Sequence, residues 1–137
     1  MMSKRAKYAI KALLYLYNHP EDMPIPAKTI SEQERIPYKF LENILRELRQ
    51  HRILKSERGA DGGYRFWKDP AEITVKEILR IVDGPIALIP CVSEKFYEKC
   101  DECISEESCQ IRKLFLALRI ETLLILDKSL VELQELP

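Results

Sequence analysis

The chain has 137 residues, of which 46% are hydrophobic and 32% charged, and its formal net charge at pH 7 is zero. That size suits one domain, or one compact unit with an appendage, and that balance excludes a disordered chain. No apolar run approaches the ~18–20 residues of a membrane span, and the opening MMSKRAKYAIKALLYLYNHP has Lys11 inside its apolar stretch with no small-residue cleavage site after it, so a cytoplasmic protein with no membrane partner is expected.

The zero net charge conceals two opposed halves. Residues 1–68 hold 14 Lys and Arg against 8 Asp and Glu, a net of +6, whereas residues 69–137 hold 8 against 14, a net of −6. A basic half joined to an acidic half implies that only the first meets a polyanion.

In chain order, Ala6, Ala9, Ile10, Leu13, Leu16 and Tyr17 recur at helical spacing and predict a first helix over 3–17, stopped before Asn18-His19-Pro20. EDMPIP reads as a Pro-rich loop, and AKTISEQERIP as a short second helix from Ala27 to about Gln33 followed by a turn. From Pro37, Leu41, Ile44, Leu45 and Leu48 fall at i, i+3, i+4 and i+7, which predicts a third helix to about Gln50 with a core-facing stripe. Two helices joined by a tight turn outline a helix-turn-helix.

ILKSERGADGGYRFW then gives two strand-like runs, Ile53 to Glu57 and Tyr64 to Trp67, around a turn with three of the chain's four glycines. That is a β-wing, so the expected fold is mainly α with a small wing, a winged helix-turn-helix. Thr74-Val75-Lys76-Glu77 reads as a capping box, and the helix it opens ends at Asp83-Gly84-Pro85. QIRKLFLALRIETLLILDKSLVELQEL predicts one last helix of about 26 residues, or roughly 39 Å. It is apolar over more than one face, so a second copy of the chain is expected to cover it as a homodimer. The expected division is a winged DNA-binding domain over 1–84, a cysteine-bearing loop over 85–109 and a dimerisation helix over 110–137.

Two sets of residues carry candidate chemistry. The outward face of the third helix presents Tyr38, Lys39, Glu42, Asn43, Arg46 and Arg49, and these residue types match the edges of bases in the major groove of double-stranded DNA. Arg58, entering the glycine turn, is placed for a neighbouring minor groove, whose negative potential attracts guanidinium. The second set is CVSEKFYEKCDECISEESC, 19 residues holding all four cysteines of the chain. Cys100-x2-Cys103 is a chelating pair with Cys91 and Cys109 outside it, a spacing open to an iron-sulfur cluster, a zinc ion, a reversible disulfide or ordinary thiols. The adjacent acids Glu98, Asp101, Glu102, Glu106 and Glu107 oppose further negative charge, while the N-terminus of the last helix favours thiolates. A redox or electron-transfer protein is the rival from another class, although no nucleotide loop or acid-base dyad accompanies the cysteines. His19 and His51 read as exposed, and Tyr15, Tyr17 and Trp67 as core or interface aromatics.

RGADGGYRFWKDPAEITVKEILRIVDGPIALIPC, preceded by IPYKFLENILRELRQHRILKSE and followed by clustered cysteines and a long helix, resembles the Rrf-two family of bacterial transcription regulators, those of the IscR and NsrR type. The likeness covers about residues 4–133, and its most specific piece is Arg58-Gly59 followed by Gly62-Gly63-Tyr64. The resemblance implies a homodimeric winged-helix repressor or activator. In such a dimer the long helices would fix two recognition helices about 34 Å apart, one turn of duplex, so an imperfectly palindromic operator is expected. The resemblance also implies a cluster, two-iron or four-iron, on Cys91, Cys103 and Cys109 as the family's three cysteines. Arg112 stands where some members have a histidine ligand and Lys7 where others have an acid, which leaves Cys100 as the fourth ligand. Pro37 replaces a frequent capping Ser, read as a lost cap rather than a lost helix.

Overall fold

A computed structural model describes residues 2–137. The elements are α1 (Lys4–Asn18), α2 (Ala27–Glu34), α3 (Tyr38–Gln50), β1 (Leu54–Glu57), β2 (Gly63–Phe66), α4 (Val75–Val82), α5 (Gln110–Leu126) and α6 (Leu130–Gln134), with short 3-10 turns at 20–22, 70–72 and 90–92. This is the winged helix-turn-helix followed by a longer helix that the sequence predicts.

Ser3 caps α1 by accepting from the Ala6 N–H at 3.0 Å. Ala6, Ala9 and Ala12 make one side of that helix small, so other helices approach it closely: Ala6 packs with Val75 and Leu79 of α4. Leu13 and Leu16 fill the main core with Ile30 of α2 and with Leu41, Ile44, Leu45 and Leu48 of α3. The tight turn between α2 and α3 is closed by the left-handed Arg35 (φ +54°) and two bonds, Ile36 N–H to Ser31 carbonyl at 3.0 Å and Ser31 Oγ to Ile36 carbonyl at 2.6 Å. Pro37 precedes α3 without any side-chain cap, and the helix starts at Tyr38 regardless, because its apolar stripe is fully buried.

β1 and β2 pair antiparallel, Leu54 opposite Phe66 and Glu57 opposite Gly63. The sheet gains a third, one-residue member that the sequence conceals. Ile25, in the loop expected to be irregular, exchanges both backbone hydrogen bonds with Tyr64 at 2.9 and 2.8 Å. Gly63 makes the approach possible, since a Cβ there would lie 2.3 Å from the Ile25 carbonyl carbon. The wing is thereby tied to the segment that opens α2.

Two local expectations are corrected. Thr74 Oγ1 accepts from the Glu77 N–H at 3.1 Å, but the Glu77 carboxylate turns to Lys68 Nζ at 2.9 Å, so only half of the capping box forms. The final helix is also not continuous: α5 stops at Leu126, and Ser129 starts α6 with a full capping box to Glu132. Leu130 is completely buried in the main core, and its N–H donates to the Ile73 carbonyl at 2.9 Å. The chain end therefore returns to the winged unit instead of extending away from it. Truncating Leu130 to Ala is expected to lower unfolding free energy by about 2–5 kcal/mol, as for other fully buried leucines. Denaturant unfolding measures this, and a loss below about 0.5 kcal/mol, the level of surface substitutions, would show that α6 is not docked.

Candidate functional site

Burial of Leu41, Ile44, Leu45 and Leu48 leaves the opposite side of α3 to solvent. Tyr38, Lys39, Asn43, Arg46 and Arg49 are exposed there and Glu42 is half-buried. Their side chains order one another. Lys39 Nζ lies 3.6 Å from the Glu42 carboxylate, and the same carboxylate raises the pKa of the Tyr38 phenol by favouring its protonated form. Arg46 Nη1 donates to Asn43 Oδ1 at 3.3 Å, and Arg49 Nη1 to Ser56 Oγ of β1 at 3.3 Å. The last contact locks the end of α3 to the wing. At the wing tip a Cβ on Gly62 would fall 2.4 Å from the Glu57 carbonyl oxygen, so only glycine allows a turn this tight. Arg58 stands exposed beside that turn, with no ion pair among the described residues.

The cysteine segment leaves α4 through Gly84 and is bolted near its start. Glu94 receives Arg80 of α4 at 2.7 Å and lies 3.8 Å from Arg119 of α5, whose Nη1 also donates to the Val92 carbonyl at 2.5 Å. Cys91, beside this junction, is half-buried. Cys103 N–H donates to the Cys100 carbonyl at 3.1 Å, so this pair shares one turn. The exposed Cys100 thiol donates to the Glu102 carboxylate at 3.0 Å, and that bond raises the thiol's pKa while lowering that of Glu102. Cys109 occupies the N-cap of α5 and accepts from the Arg112 N–H at 3.4 Å. All four cysteines are free, and among the described residues no three of His, Cys, Asp or Glu gather closely enough to hold a metal ion. The donor types suit iron-sulfur or zinc, but the arrangement seen does not form a site for either.

A family model described as "Rrf2: Iron-dependent Transcriptional regulator" matches residues 2–136. The chain belongs to the Rrf2 family. A putative HTH-type transcriptional regulator, rrf2-like, of Rhodobacter capsulatus is 38% identical over 96% of this chain and 90% of its own length. The HTH-type transcriptional regulator IscR of Photorhabdus laumondii is 31% identical over 76% of this chain, which spans only 63% of that relative. Among solved structures, CymR (YrzC), described as the global cysteine regulator of B. subtilis, superposes with a TM-score of 0.79 at 25% identity, covering 97% of this chain and 95% of the other. A putative transcriptional regulator from Listeria innocua gives 0.79 at 28% identity over 98% and 86%. The protein is thus a transcriptional regulator of the Rrf2 family and not an enzyme, and the electron-transfer rival is set aside.

Within this Rrf2 regulator, the structure joins the α3 residues into short side-chain networks, leaves Arg58 apart on the wing, and does not gather the cysteines. No helix among the described residues is long and apolar enough to cross a membrane. Of the two expectations for Trp67, core or interface aromatic, the core one is excluded: it is 60% exposed, with Arg52 and Lys55 over its ring. His19 is half-buried, stacked on Tyr15 at 4.1 Å, rather than exposed. The Trp67 cluster and the Ile25 bridge were missed because both depend on contacts between segments; the only sequence signal was a bulky aromatic at the end of a strand rich in cations.

The hydrogen bond from Cys100 to Glu102 has a chemical consequence. Glu102→Gln removes the carboxylate that disfavours the thiolate, so at neutral pH more Cys100 is ionised and alkylation by iodoacetamide is expected to be faster at this thiol. Peptide mass mapping of the time course checks it, and an unchanged or slower rate contradicts the contact.

Proposed function

We propose that this chain acts as a homodimer on double-stranded DNA, reading an imperfect palindrome with α3 and the wing, and that the cysteine loop sets its affinity. The division proposed is a DNA-binding unit over 1–84, the loop over 85–109 and a dimerising segment over 110–137, within which α5 is the part that meets the second copy. The observation that carries the DNA reading is the outward face of α3, where amide, carboxylate, phenol and cations alternate beside a wing fixed to it by Arg49 and Ser56. Tyr38, Lys39, Glu42, Asn43, Arg46 and Arg49 contact base edges and phosphates in the major groove, and Arg58 enters the minor groove. The negative half of the molecule stays away from the duplex.

The dimer reading rests on α5, which has no buried residue; Ile111, Leu114, Leu124 and Ile125 are each about two-thirds exposed. An apolar face of that extent requires a partner surface, and a second α5 supplies one of matching character. Leu124→Asp is expected to shift the species from dimer to monomer in analytical ultracentrifugation.

For the loop, the reading supported by donor count and by the family's description is a [2Fe-2S] or [4Fe-4S] cluster on Cys91, Cys100, Cys103 and Cys109. A second reading, a thiol switch or zinc site without a cluster, is favoured by the ungathered thiols and by the shared Cys100–Cys103 turn. Iron, inorganic sulfide and zinc are to be quantified in protein purified without oxygen. Iron with sulfide and a visible absorption band, lost in Cys91→Ala, is expected of the first reading; zinc, or no metal with a redox-dependent mobility shift, decides for the second.

DNA binding itself is tested with a duplex selected by the protein from a random-sequence pool. Affinity is expected to fall linearly in log–log form with salt. Arg46→Ala is expected to cost about 1–3 kcal/mol and relax preference at its base, as for a specific base contact. Binding indifferent to both salt and Arg46 refutes the interface.

A further inference from the structure

Trp67 is the chain's single tryptophan and stands just past β2, 60% exposed. The Arg52 guanidinium carbon lies 5.8 Å and Lys55 Nζ 5.9 Å from its ring centre. Strand alternation tells which way this cluster faces. Ser56 reaches Arg49 and so points to the α3 side of β1, which turns the neighbouring Lys55 to the opposite face. Arg65, opposite Lys55 in register, shares that face and pairs there with Glu57 at 2.8 Å. Trp67, two residues beyond Arg65, continues it. The cluster therefore lies on the outer face of the wing hairpin, turned away from the candidate DNA-reading helix.

Charge on this face is unbalanced. Arg65 and Lys68 are matched by Glu57 and by Glu77 at 2.9 Å, but neither Arg52 nor Lys55 has an ion pair among the described residues. Lys55 sits directly across the strand pair from Arg65, whose charge Glu57 already takes up, so Lys55 is left as the unpaired cation of that pair. Arg52 adopts φ +58°, a left-handed conformation that arginine takes at a cost and that accompanies its position over the indole. Two unmatched cations around a large exposed aromatic complement a carboxylate-bearing chain with an apolar side chain between its charges.

We propose that Arg52, Lys55 and Trp67 form a docking patch for an acidic segment of a partner protein, with carboxylates on the two cations and an apolar side chain against the solvent-exposed part of the indole. Because the patch faces away from α3, the partner docks while the regulator is on DNA. That last clause rests on the function proposed above; the patch itself does not.

The experiment uses the full chain and its own reporter, the fluorescence of Trp67. The probe is a short Trp-free peptide of Asp and Glu with one central Leu, and a Lys-for-acid version is the control. A saturable change with the acidic peptide alone is expected, weakened about tenfold or more, a step of ~1.4 kcal/mol, in Arg52→Glu combined with Lys55→Glu, whose fold is verified by circular dichroism. The titration is then repeated with the selected duplex bound. An unchanged affinity supports simultaneous docking. No response to the acidic peptide, or an equal response to the basic one, overturns the patch. Competition between peptide and duplex also overturns the proposal, because it would place Arg52 and Lys55 on the DNA surface. Failure to bind any duplex would defeat the DNA reading alone, since the peptide titration without DNA stands independently.

Discussion

Leu41, Ile44, Leu45 and Leu48 lie on one side of a helix with 3.6 residues per turn, and all four are fully buried against α1 and α2. Full burial of such side chains contributes about 1.5–3 kcal/mol each, so no rotation of α3 about its axis competes with the one observed. The rotation that buries these four also fixes which residues meet solvent. Tyr38, Lys39, Asn43, Arg46 and Arg49 are displayed together as a consequence of hydrophobic burial on the other side of the same helix, and the regulator's candidate reading surface is the remainder of its core.

The wing depends on that helix in turn. Arg49 reaches from α3 to Ser56, and the hairpin's other strand is held by Ile25 through a backbone exchange that needs Gly63 to have no side chain. One tie holds β1 and the other β2, so each strand of the hairpin is joined to the helix-turn-helix or the segment that opens it. Such fixing serves the proposed contact with two grooves, because an error of orientation in one contact would forfeit the other. The outer face of the hairpin takes no part in either tie, which leaves Arg52, Lys55 and Trp67 available for a different contact.

Between the winged unit and the long helix, Glu94 links Arg80 of α4 to Arg119 of α5. The chain thus enters the cysteine segment from a point attached to both the winged unit and the long helix, and it leaves through Cys109 at the α5 N-cap. Any rearrangement that gathers or oxidises the thiols acts on those two ends. For the proposed switch, these contacts supply a mechanical route from the loop to the relative placement of helix and winged unit that needs no remote pathway.

Local pattern was enough for the winged helix-turn-helix, because periods of 3.6 and 2 residues, glycine turns and capping residues are written into short windows of sequence. The α3 face was legible for the same reason: once the stripe is found, its complement follows. The cysteines were legible as a cluster in sequence and not as an arrangement in space, since close spacing along an irregular loop does not fix where thiols point. The one-residue strand at Ile25, the diversion of Glu77 from its cap to Lys68, the return of α6 through Leu130 and the surface position of Trp67 were settled only by tertiary structure. Each is a choice between a local partner and a distant one, and the distant one wins only when the fold has already brought it within reach. Sequence alone therefore determined which surfaces each helix must bury, whereas the folded chain decided what those buried and exposed surfaces would touch.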